Sequence, residues 1–237
     1  MQVFRDVLRK VGFVRRGHEP ARAKDMKQIT PQILLRAYQM GMFPMAETRA
    51  SSEIFWLDPA ERGIMPLDGF RIARSLAKRL RAMPFQVSVD TAFARVVDGC
   101  AARPETWINA EIFDLFCTLH HAGHAHSIEV WDGPELVGGV YGLALGGTFC
   151  GESMFSIRRD ASKVALAYLV DRLRIGGFVL FDTQFVTGHL ESLGAVEIPR
   201  AEYHQRLCAA LLVEADFHAQ QGMPAVHDLL QRNTQTS

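Results

Sequence analysis

The stretch GTFCGESMFSIRRDASKVAL, residues Gly147–Leu166, decides how this chain folds. Its first half is an apolar run typical of a buried strand, and that run carries one carboxylate, Glu152. Two arginines follow, and then Asp160 stands where a helix N-cap is expected. Burying a carboxylate is costly unless a partner compensates it, so stability alone gives no reason for an acid here. The stretch predicts a strand, a turn and a helix, with the acid facing a ligand; the alternative is a structural salt bridge to Arg158 or Lys163.

Length and composition describe an ordinary folded protein. The chain has 237 residues, of which 48% are hydrophobic and 22% are charged, and its formal net charge is zero. These values are typical of one large domain, or of one domain with a small appendage. No apolar run reaches the length of a membrane span. Residues 1–27 are basic but lack the apolar core of a signal peptide, so we expect a cytoplasmic protein with no membrane partner.

The cysteines and histidines do not form a recognisable metal-binding motif. The cysteines have no C-x-x-C spacing, which argues against a zinc ribbon or a disulfide framework and predicts reduced thiols; they are Cys100, Cys117, Cys150 and Cys208. The segment HHAGHAHS lies where a helix is expected to end, and it contains no H-E-x-x-H motif. We therefore expect no metal and no cofactor, and solvated or helix-capping roles for His120, His121, His124 and His126.

Predicted helices and strands alternate along the chain, which indicates an α+β fold with a mixed sheet covered by helices. Thr30 followed by Pro31 marks the start of a helix that ends by Gly41. Residues 46–69 are rich in Pro and Gly and predict an irregular junction, so we divide the chain into a small N-terminal region, 1–60, and a main domain, 61–237. Further helices are expected at 70–81, 91–101, 109–123, 160–175, 184–193 and 200–220. Strands are expected at 85–89, 127–131, 136–145, 148–156, 178–182 and 196–198.

Asp182 is the second candidate for chemistry. It ends a short apolar strand, and Gln184 follows two residues later. Ligands of open α/β sheets gather outside the carboxyl ends of strands, so an acid there can act as a base or orient a donor. The structural alternative is that Asp182 caps the following helix, and the two roles are compatible.

Two groups of cations are candidates for binding nucleic acid. Segment 70–81 carries five positive charges and no acid, which favours contact with a phosphate backbone over the more usual solvated helix face. A second pair directly precedes the helix expected at Asp160, whose N-terminus would also attract a phosphate. The residues are Arg71, Arg74, Lys78, Arg79, Arg81, Arg158 and Arg159. The glycines of residues 138–147 fall inside strands and mark bulges or close approaches rather than a nucleotide-binding loop.

Several blocks of the sequence together resemble the leucyl/phenylalanyl-tRNA–protein transferase family. In order they are AYQMGMFP (37–44), TWIN (106–109), LHHAGHAHSIEVW (119–131), LVGGVYG (136–142), FCGESMFS (149–156), ASKVAL (161–166), DTQ (182–184) and HLESLGAVEIPR (189–200). The resemblance implies an acyl-CoA N-acyltransferase-like main domain that uses a tRNA ester in place of CoA. It also implies an aminoacyltransferase that moves Leu or Phe, and also Met, from aminoacyl-tRNA to acceptor proteins with N-terminal Arg or Lys. The product would enter N-end rule degradation.

The resemblance further implies roles for single residues. Asp182 and Gln184 match the catalytic pair of the family, and Glu152 matches an acid of the aminoacyl site. The implied substrate-binding positions are Tyr38 and Trp107 near the aminoacyl-adenosine end, Met45 where the family commonly has an aromatic residue, and Val140 and Phe149 in an apolar pocket. The loop MAETRASSEIFWLDP also departs from the tryptophan-rich version of the family, and a basic leader replaces the usual N-terminal strands.

Three other interpretations stay open: the same chemistry with another donor or acceptor range, such as acidic N-termini; a CoA-dependent N-acyltransferase; and a non-catalytic RNA-binding module. The segment FSIRRDASK has no glycine-rich cradle for a pyrophosphate, which argues against CoA. A binding module would have no need of Asp182, Gln184 and Glu152. Because an aminoacyl ester is already activated, our hypothesis is that Gln184, held by Asp182, positions the attacking amine while Asp182 assists proton removal. No heptad pattern requires an oligomer, so a monomer is expected.

Overall fold

The computed structural model describes residues 29–82 and 85–235. The expectations for the basic leader, residues 1–27, lie outside these ranges. Within them, no helix combines the length and the apolar character that crossing a bilayer requires.

The N-terminal region is a helix followed by a small hairpin. Helix α1 (Pro31–Gln39) begins as its sequence predicts, because the Thr30 hydroxyl accepts a hydrogen bond from the Ile33 amide at 3.3 Å. Strands β1 (Phe43–Ala46) and β2 (Ile54–Leu57) then pair antiparallel as a sheet of their own. The prediction of an irregular junction over 46–69 is wrong, because this segment contains two complete strands, β2 and β3.

The main sheet has seven strands: β3 (Glu61–Ile64), β4 (Gln86–Val89), β5 (Ala125–Asp132), β6 (Glu135–Leu145), β7 (Thr148–Ser156), β8 (Leu180–Gln184) and β9 (Val196–Pro199). Their spatial order is β4-β5-β6-β7-β8-β3-β9. Neighbours pair antiparallel except β7 and β8, which are parallel. The early strand β3 is therefore inserted between two late ones.

Helices cover both faces of this sheet: α2 (Arg74–Ala82), α3 (Phe93–Ala101), α4 (Ala110–His121), α5 (Ala161–Ile175), α6 (Gly188–Ser192), α7 (Arg200–Ala210) and α8 (Val226–Gln235). One large apolar cluster joins the N-terminal region, α3 and α4 to one face, and another joins α5 and the segment around Phe217 to the opposite face. Helix α5 is buried almost all round, as expected for a helix lying between the sheet and further elements. The α+β class with a large mixed sheet and a small N-terminal region is confirmed.

Three predicted helices have different bounds in the structure. Helix α2 begins at Arg74, and the helix predicted over 200–220 ends at Ala210. The helix predicted from residue 184 begins only at Gly188, because β8 continues through Gln184 and the Thr187 hydroxyl caps the new helix. Asp182 therefore caps no helix. Asp160 does precede α5, but its side chain makes no capping hydrogen bond.

Strand β7 contains a bulge at Glu152. Tyr141 on β6 is opposite Ser153, and Gly142 is opposite Gly151, so Glu152 has no partner in the register. A Cβ atom on Gly142 would lie 2.3 Å from the Cys150 carbonyl oxygen, which explains why glycine occupies this position. The bulge re-aims one side chain without interrupting the strand.

Candidate active site

A cavity of about 390 Å³ opens where the two parallel strands separate. Strands β7 and β8 pair over only three positions, the last being Cys150 opposite Asp182, and the residues beyond them line the cavity from both sides. Residues 43–45 and 105–107 supply further wall from the N-terminal hairpin and from the segment after α3. The cavity is thus formed by segments far apart in sequence.

Glu152 lies in the wall of this cavity and contacts Gln184. Its side chain is buried, and the Gln184 amide Nε2 donates a hydrogen bond to Glu152 Oε1 at 3.0 Å. The structural salt bridge that was the alternative is not formed, since the two candidate cations have other partners: Arg158 pairs with Glu135, and Lys163 with Asp160. The direct contact that compensates the burial of this acid is an amide hydrogen bond, and no cation of the described residues forms an ion pair with it.

The surroundings of Glu152 favour its neutral form. Burial, together with the nearby Asp182, raises the pKa of the Glu152 carboxyl to about 8, although the Tyr38 hydroxyl, Arg62 and Gln184 oppose that rise. The Tyr38 hydroxyl is itself buried beside the acid and has no hydrogen-bond partner of normal geometry among the described residues. A carboxyl with this pKa can accept a proton near neutral to mildly alkaline pH.

Asp182 is fully buried, and its carboxylate accepts four hydrogen bonds. Oδ1 accepts from Arg62 Nε at 2.9 Å and from the Gln184 backbone amide at 2.9 Å. Oδ2 accepts from Arg62 Nη2 at 2.6 Å and from the Tyr203 hydroxyl at 2.8 Å. Every strong acceptor position is occupied, and Asp182 does not line the cavity.

Arg62 holds this arrangement together, and the sequence analysis missed it. Burial alone would lower the pKa of the Arg62 guanidinium, but the Asp182 carboxylate outweighs burial and the net direction is upward. The guanidinium also donates to the Gly41 carbonyl at 2.9 Å and stacks over the rings of Phe43 and Tyr203. An arginine directly followed by the apolar run of β3 was the available signal, because a buried arginine requires an acidic partner.

Gln184 is held in an unusual backbone conformation. Its φ angle is +57°, a left-handed value that costs free energy for a residue with a side chain. Gly63 on β3 lies opposite it, and a Cβ atom at Gly63 would be 2.7 Å from the Phe185 carbonyl carbon. This close approach, and the hydrogen bond that the Gln184 backbone amide donates to Asp182, fix where the Gln184 side chain points.

Comparison with known proteins identifies the family of this chain. Residues 64–208 match the family described as leucyl/phenylalanyl-tRNA protein transferase, and residues 27–60 match the N-terminal domain of the same family. The chain belongs to this family. A leucyl/phenylalanyl-tRNA–protein transferase of Cereibacter sphaeroides is 61% identical over 88% of this chain and 98% of its own length. One from a Ruegeria species is 61% identical over 88% of this chain and 99% of its own length.

The prediction of a transferase is therefore confirmed. Among solved structures, the crystal structure of FemX is similar at 12% identity with a TM-score of 0.43, covering 73% of this chain and 69% of FemX.

The substrate-binding positions that the transferase family implies fall into two groups. Met45, Trp107 and Val140 line the cavity together with Glu152 and Gln184. The other two, Tyr38 and Phe149, do not line it: Tyr38 lies buried behind Glu152.

Phe149 differs from its expected place because its side chain lies on the face of β7 that packs against α5. Its ring packs in the cluster beneath α5, with centroids 5.8 Å from Phe181 and 5.6 Å from Phe217. Phe181 itself lines the cavity, so Phe149 supports the apolar wall from behind. Strand alternation already places Phe149 on the face opposite Glu152, because the two residues are three positions apart and the register shifts only at Glu152.

Cys100 lines the same cavity but is a poor nucleophile. Burial raises the pKa of its thiol to about 12, despite a contact with Ser153 that lowers it. The thiolate needed for covalent catalysis is therefore scarce near neutral pH. This agrees with a direct transfer that needs no enzyme-bound intermediate.

The predicted cations divide by their partners. Arg79 lies 3.7 Å from Asp160, Arg158 pairs with Glu135, and the exposed Arg159 lies 3.7 Å from Asp160. The others are exposed, and no acidic side chain of residues 29–82 and 85–235 lies within ion-pair distance of them: Arg71, Arg74, Lys78 and Arg81. Arg74, Lys78 and Arg81 follow helical spacing along one face of α2, opposite the buried Leu76 and Leu80.

A second, more open cavity of about 420 Å³ adjoins the first and shares Arg103 and Met154 with it. Its lining is more polar and includes Ser156, Ser162 and His189. Burial lowers the pKa of the His189 imidazole. The Arg103 guanidinium donates to the Met154 carbonyl and stands between the two cavities.

Proposed function

We propose that this transferase moves leucine, phenylalanine or methionine from aminoacyl-tRNA to the N-terminal amine of proteins that begin with Arg or Lys, and that the reaction takes place at Glu152 and Gln184. The observation that carries the proposal is the buried pair of Glu152 and Gln184 in the wall of an apolar cavity, in a chain of this family. Acceptors modified in this way enter N-end rule degradation. Charged tRNA places the reaction in the cytoplasm, and the transferase acts as a monomer.

The chemistry requires positioning and one proton acceptor. The neutral acceptor amine attacks the ester carbonyl carbon, a C–N bond forms, and the C–O bond to the ribose breaks as the tetrahedral adduct collapses. The amine nitrogen loses one proton to Glu152, and Glu152 returns this proton to the departing ribose oxygen, which leaves as a hydroxyl. Because the pKa of Glu152 is about 8, its carboxylate can take this proton under conditions where an α-amine is also partly neutral.

Gln184 positions the amine in this scheme. Its Nε2 donates to Glu152, which leaves the amide oxygen to accept a hydrogen bond from the incoming amine. Asp182 does not contact the amine and acts as a positioning residue that holds Gln184 in place. Its oxygens are already occupied by donors from Arg62, Tyr203 and the Gln184 backbone. We therefore assign proton removal to Glu152 in place of Asp182.

The apolar wall explains the choice of donor side chain. Val140, Met154, Leu166, Phe181 and Leu190 line the cavity with carbon. A hydrophobic pocket separates side chains that differ by one methylene only by about 1–3 kcal/mol, so Leu, Phe and Met are accepted together. A charged donor side chain is rejected because this apolar part of the cavity offers it no partner.

The tRNA approaches along the exposed face of α2. Its cations lie on a helix face without acidic partners among the described residues, which is what a phosphate backbone requires. The exposed Glu105 brings a carboxylate to the cavity, and this favours an acceptor with N-terminal Arg or Lys. Arg103 in the same wall is the feature that would favour an acidic acceptor instead.

A transfer assay with a panel of donors and acceptors tests the function. Leu-, Phe-, Met- and Arg-tRNA, and acetyl-CoA as a separate donor, are offered with peptides that begin with Arg, Lys, Asp or Glu, and products are read by mass. We expect addition of Leu, Phe or Met to the Arg and Lys peptides alone. Addition to acidic peptides would overturn the acceptor range, acetyl transfer would favour the CoA-dependent reading, and RNA binding without any product would favour a binding module.

Matched variants then test the assigned residues. Glu152→Gln keeps the shape and the hydrogen bond to Gln184 but removes the base, so kcat should fall by about 10²–10⁴. Glu191→Gln, an exposed residue of α6, is the control and should keep wild-type kcat. If folded Glu152→Gln retained at least a third of the wild-type kcat, the base would have to be sought elsewhere.

A further inference from the structure

Outside the cavity, two imidazoles and a carboxylate converge where β4 and β5 meet the segment between α7 and α8. Asp90 follows β4, His126 is on β5, and His218 belongs to residues 211–225, which we call the C-terminal strap. One potential ligand atom from each lies within 4.8 Å of the other two. His126 Nδ1 is 2.8 Å from Asp90 Oδ2, and His218 Nε2 is 3.5 Å from the same oxygen.

Other contacts already fix two of these three side chains. Asp90 Oδ1 accepts a hydrogen bond from the Ser127 backbone amide at 2.7 Å, which orients the carboxylate. The His126 ring is buried and stacks on Phe217, with centroids 4.1 Å apart and planes at 13°. The side chains of Asp90 and His126 are therefore preorganised for binding a ligand.

The third, His218, is placed by a strap that is itself anchored. The Arg172 guanidinium on α5 donates to the backbone carbonyls of Phe217, Gln220 and Gly222. The His218 backbone amide donates to Asp216 Oδ1 at 2.8 Å. The His218 side chain remains 60% exposed, which gives a solvated ion access to the group.

Only one of the two imidazoles, that of His126, forms a good hydrogen bond to Asp90, so a hydrogen bond does not explain why His218 is also close to this carboxylate. Asp90 Oδ2 is already the acceptor for His126 Nδ1, and the His218 nitrogen at 3.5 Å lies beyond a good hydrogen bond to it. His120 is excluded from the group, because its Nδ1 bonds to the Ala125 carbonyl at 2.8 Å and is 3.9 Å from Asp90.

We propose that Asp90, His126 and His218 bind one Zn²⁺ ion, with water in the fourth position. Two imidazoles and one carboxylate are a donor set that zinc accepts, whereas Mg²⁺ prefers oxygen ligands alone. The ion replaces the hydrogen bond between His126 and Asp90 and draws His218 towards the same oxygen. It ties the strap to the sheet and has no part in the transfer reaction, since none of the three residues lines the cavity.

Charge and protons set the expected strength of binding. Burial lowers the pKa of the Arg172 guanidinium, and the nearby Asp90 carboxylate opposes that lowering; this positive charge beside Asp90 opposes the binding of a second cation. Each imidazole must offer an unprotonated nitrogen to the ion, so binding weakens as the pH falls. We therefore expect a site that is filled at micromolar free zinc and emptied by chelators.

Titration of the untagged, chelator-treated protein with ZnCl₂, followed by calorimetry, tests the site. We expect one ion per chain, and His218→Ala should weaken binding by ~10-fold or more, since losing even an outer partner of a metal ligand costs that much. Because the His218 side chain is mostly exposed, this variant should fold normally, which circular dichroism checks. Two controls should bind like wild type: His227→Ala, an exposed histidine of α8, and Cys208→Ser, an exposed thiol that could capture zinc on its own.

A second measurement follows the thermal unfolding midpoint with zinc, with Mg²⁺ and with neither. Zinc alone should raise the midpoint of wild type, because a ligand that binds only the folded state stabilises it. The midpoint of His218→Ala should not respond to zinc. The proposal is overturned if wild type takes up no stoichiometric zinc, if His218→Ala binds as tightly as wild type, or if binding disappears in Cys208→Ser.

Discussion

Replacing Glu152 by glutamine gives a direct measure of how strongly the fold disfavours a charge at the bulge of β7. The folded pKa of about 8 exceeds the ordinary value of 4.5, and burial is the main cause. A raised pKa in an acid means that the folded state holds its proton while the unfolded state has already released it. The contribution of Glu152 to stability is therefore complete below about pH 4.5 and is lost as the pH rises through about 8.

The size of the effect follows from the two pKa values. The full difference corresponds to about 5 kcal/mol, because each unit of pKa is worth about 1.4 kcal/mol. Between about pH 6 and pH 9 the folded carboxyl passes from neutral to ionised. Over this interval wild type should lose about 2–3 kcal/mol of unfolding free energy relative to Glu152→Gln, which carries no titrating group at this position.

Urea unfolding followed by circular dichroism at several pH values measures this difference without any substrate. The absence of substrate matters, since the α-amine of an acceptor titrates in the same range and would confuse a rate profile. Glu191→Gln shows the effect of removing an exposed carboxylate, and it should run parallel to wild type. A constant difference between wild type and Glu152→Gln from pH 6 to pH 9 would refute the reasoning, because Glu152 would then titrate alike in both states.

Three further predictions concern the residues that support the site and the proposed tRNA-binding face of α2. Arg62→Met leaves the Asp182 carboxylate buried without its ion-pair partner, so the unfolding free energy should fall by about 3–5 kcal/mol; a loss below about 1 kcal/mol in urea unfolding would show that the pair is not buried as described. Gly63→Ala places a methyl group against the Phe185 backbone, which should cost about 1–3 kcal/mol and lower kcat by displacing Gln184; unchanged stability and kcat would contradict this. Replacing the exposed α2 cations by glutamine should raise KM for aminoacyl-tRNA and should reduce the slope of log binding constant against log salt concentration by about one for each charge lost. The control is Arg206→Gln, which removes a cation from the exposed pair with Glu202 on α7 and should change neither quantity. Equal effects in both variants would show that α2 is not part of the tRNA interface. The α2 cations to replace are Arg74, Lys78 and Arg81.

Much of the sheet was predictable from local pattern. Strands β5, β6 and β7 were predicted within two residues at each end, because long apolar runs interrupted by glycine are distinctive. The start of α1 was also predictable, since Thr30 and Pro31 act on the backbone beside them. Strands β2 and β3 were missed because four residues in a segment rich in Pro and Gly carry little pattern of their own, and β3 is stabilised by pairing with β8 and β9, more than a hundred residues later in the chain.

In the candidate site, too, some features could be predicted from the sequence and others could not. Glu152, Asp182 and Gln184 could be identified because an acid or amide in an apolar strand is conspicuous wherever it occurs. The separate roles that we propose for Glu152 and Asp182 could not be predicted. They depend on which of the two acids accepts hydrogen bonds from Arg62, a residue 120 positions away from Asp182. The place of Phe149, by contrast, was predictable, because it precedes Glu152 by three residues and strand alternation puts residues at that spacing on opposite faces.

The reach of Arg62 also bears on how the protein is made. Its side chain joins Gly41, Asp182 and Tyr203, contacts that span 21, 120 and 141 residues of chain. A ribosome releases these partners one after another, and the last emerges only when most of the chain has been synthesised. A chain that ends before Tyr203 therefore lacks one of the three residues to which Arg62 donates hydrogen bonds. Because Tyr203 lies within the last 35 residues of the sequence, we expect the contacts of Arg62 to be completed only when synthesis is almost finished.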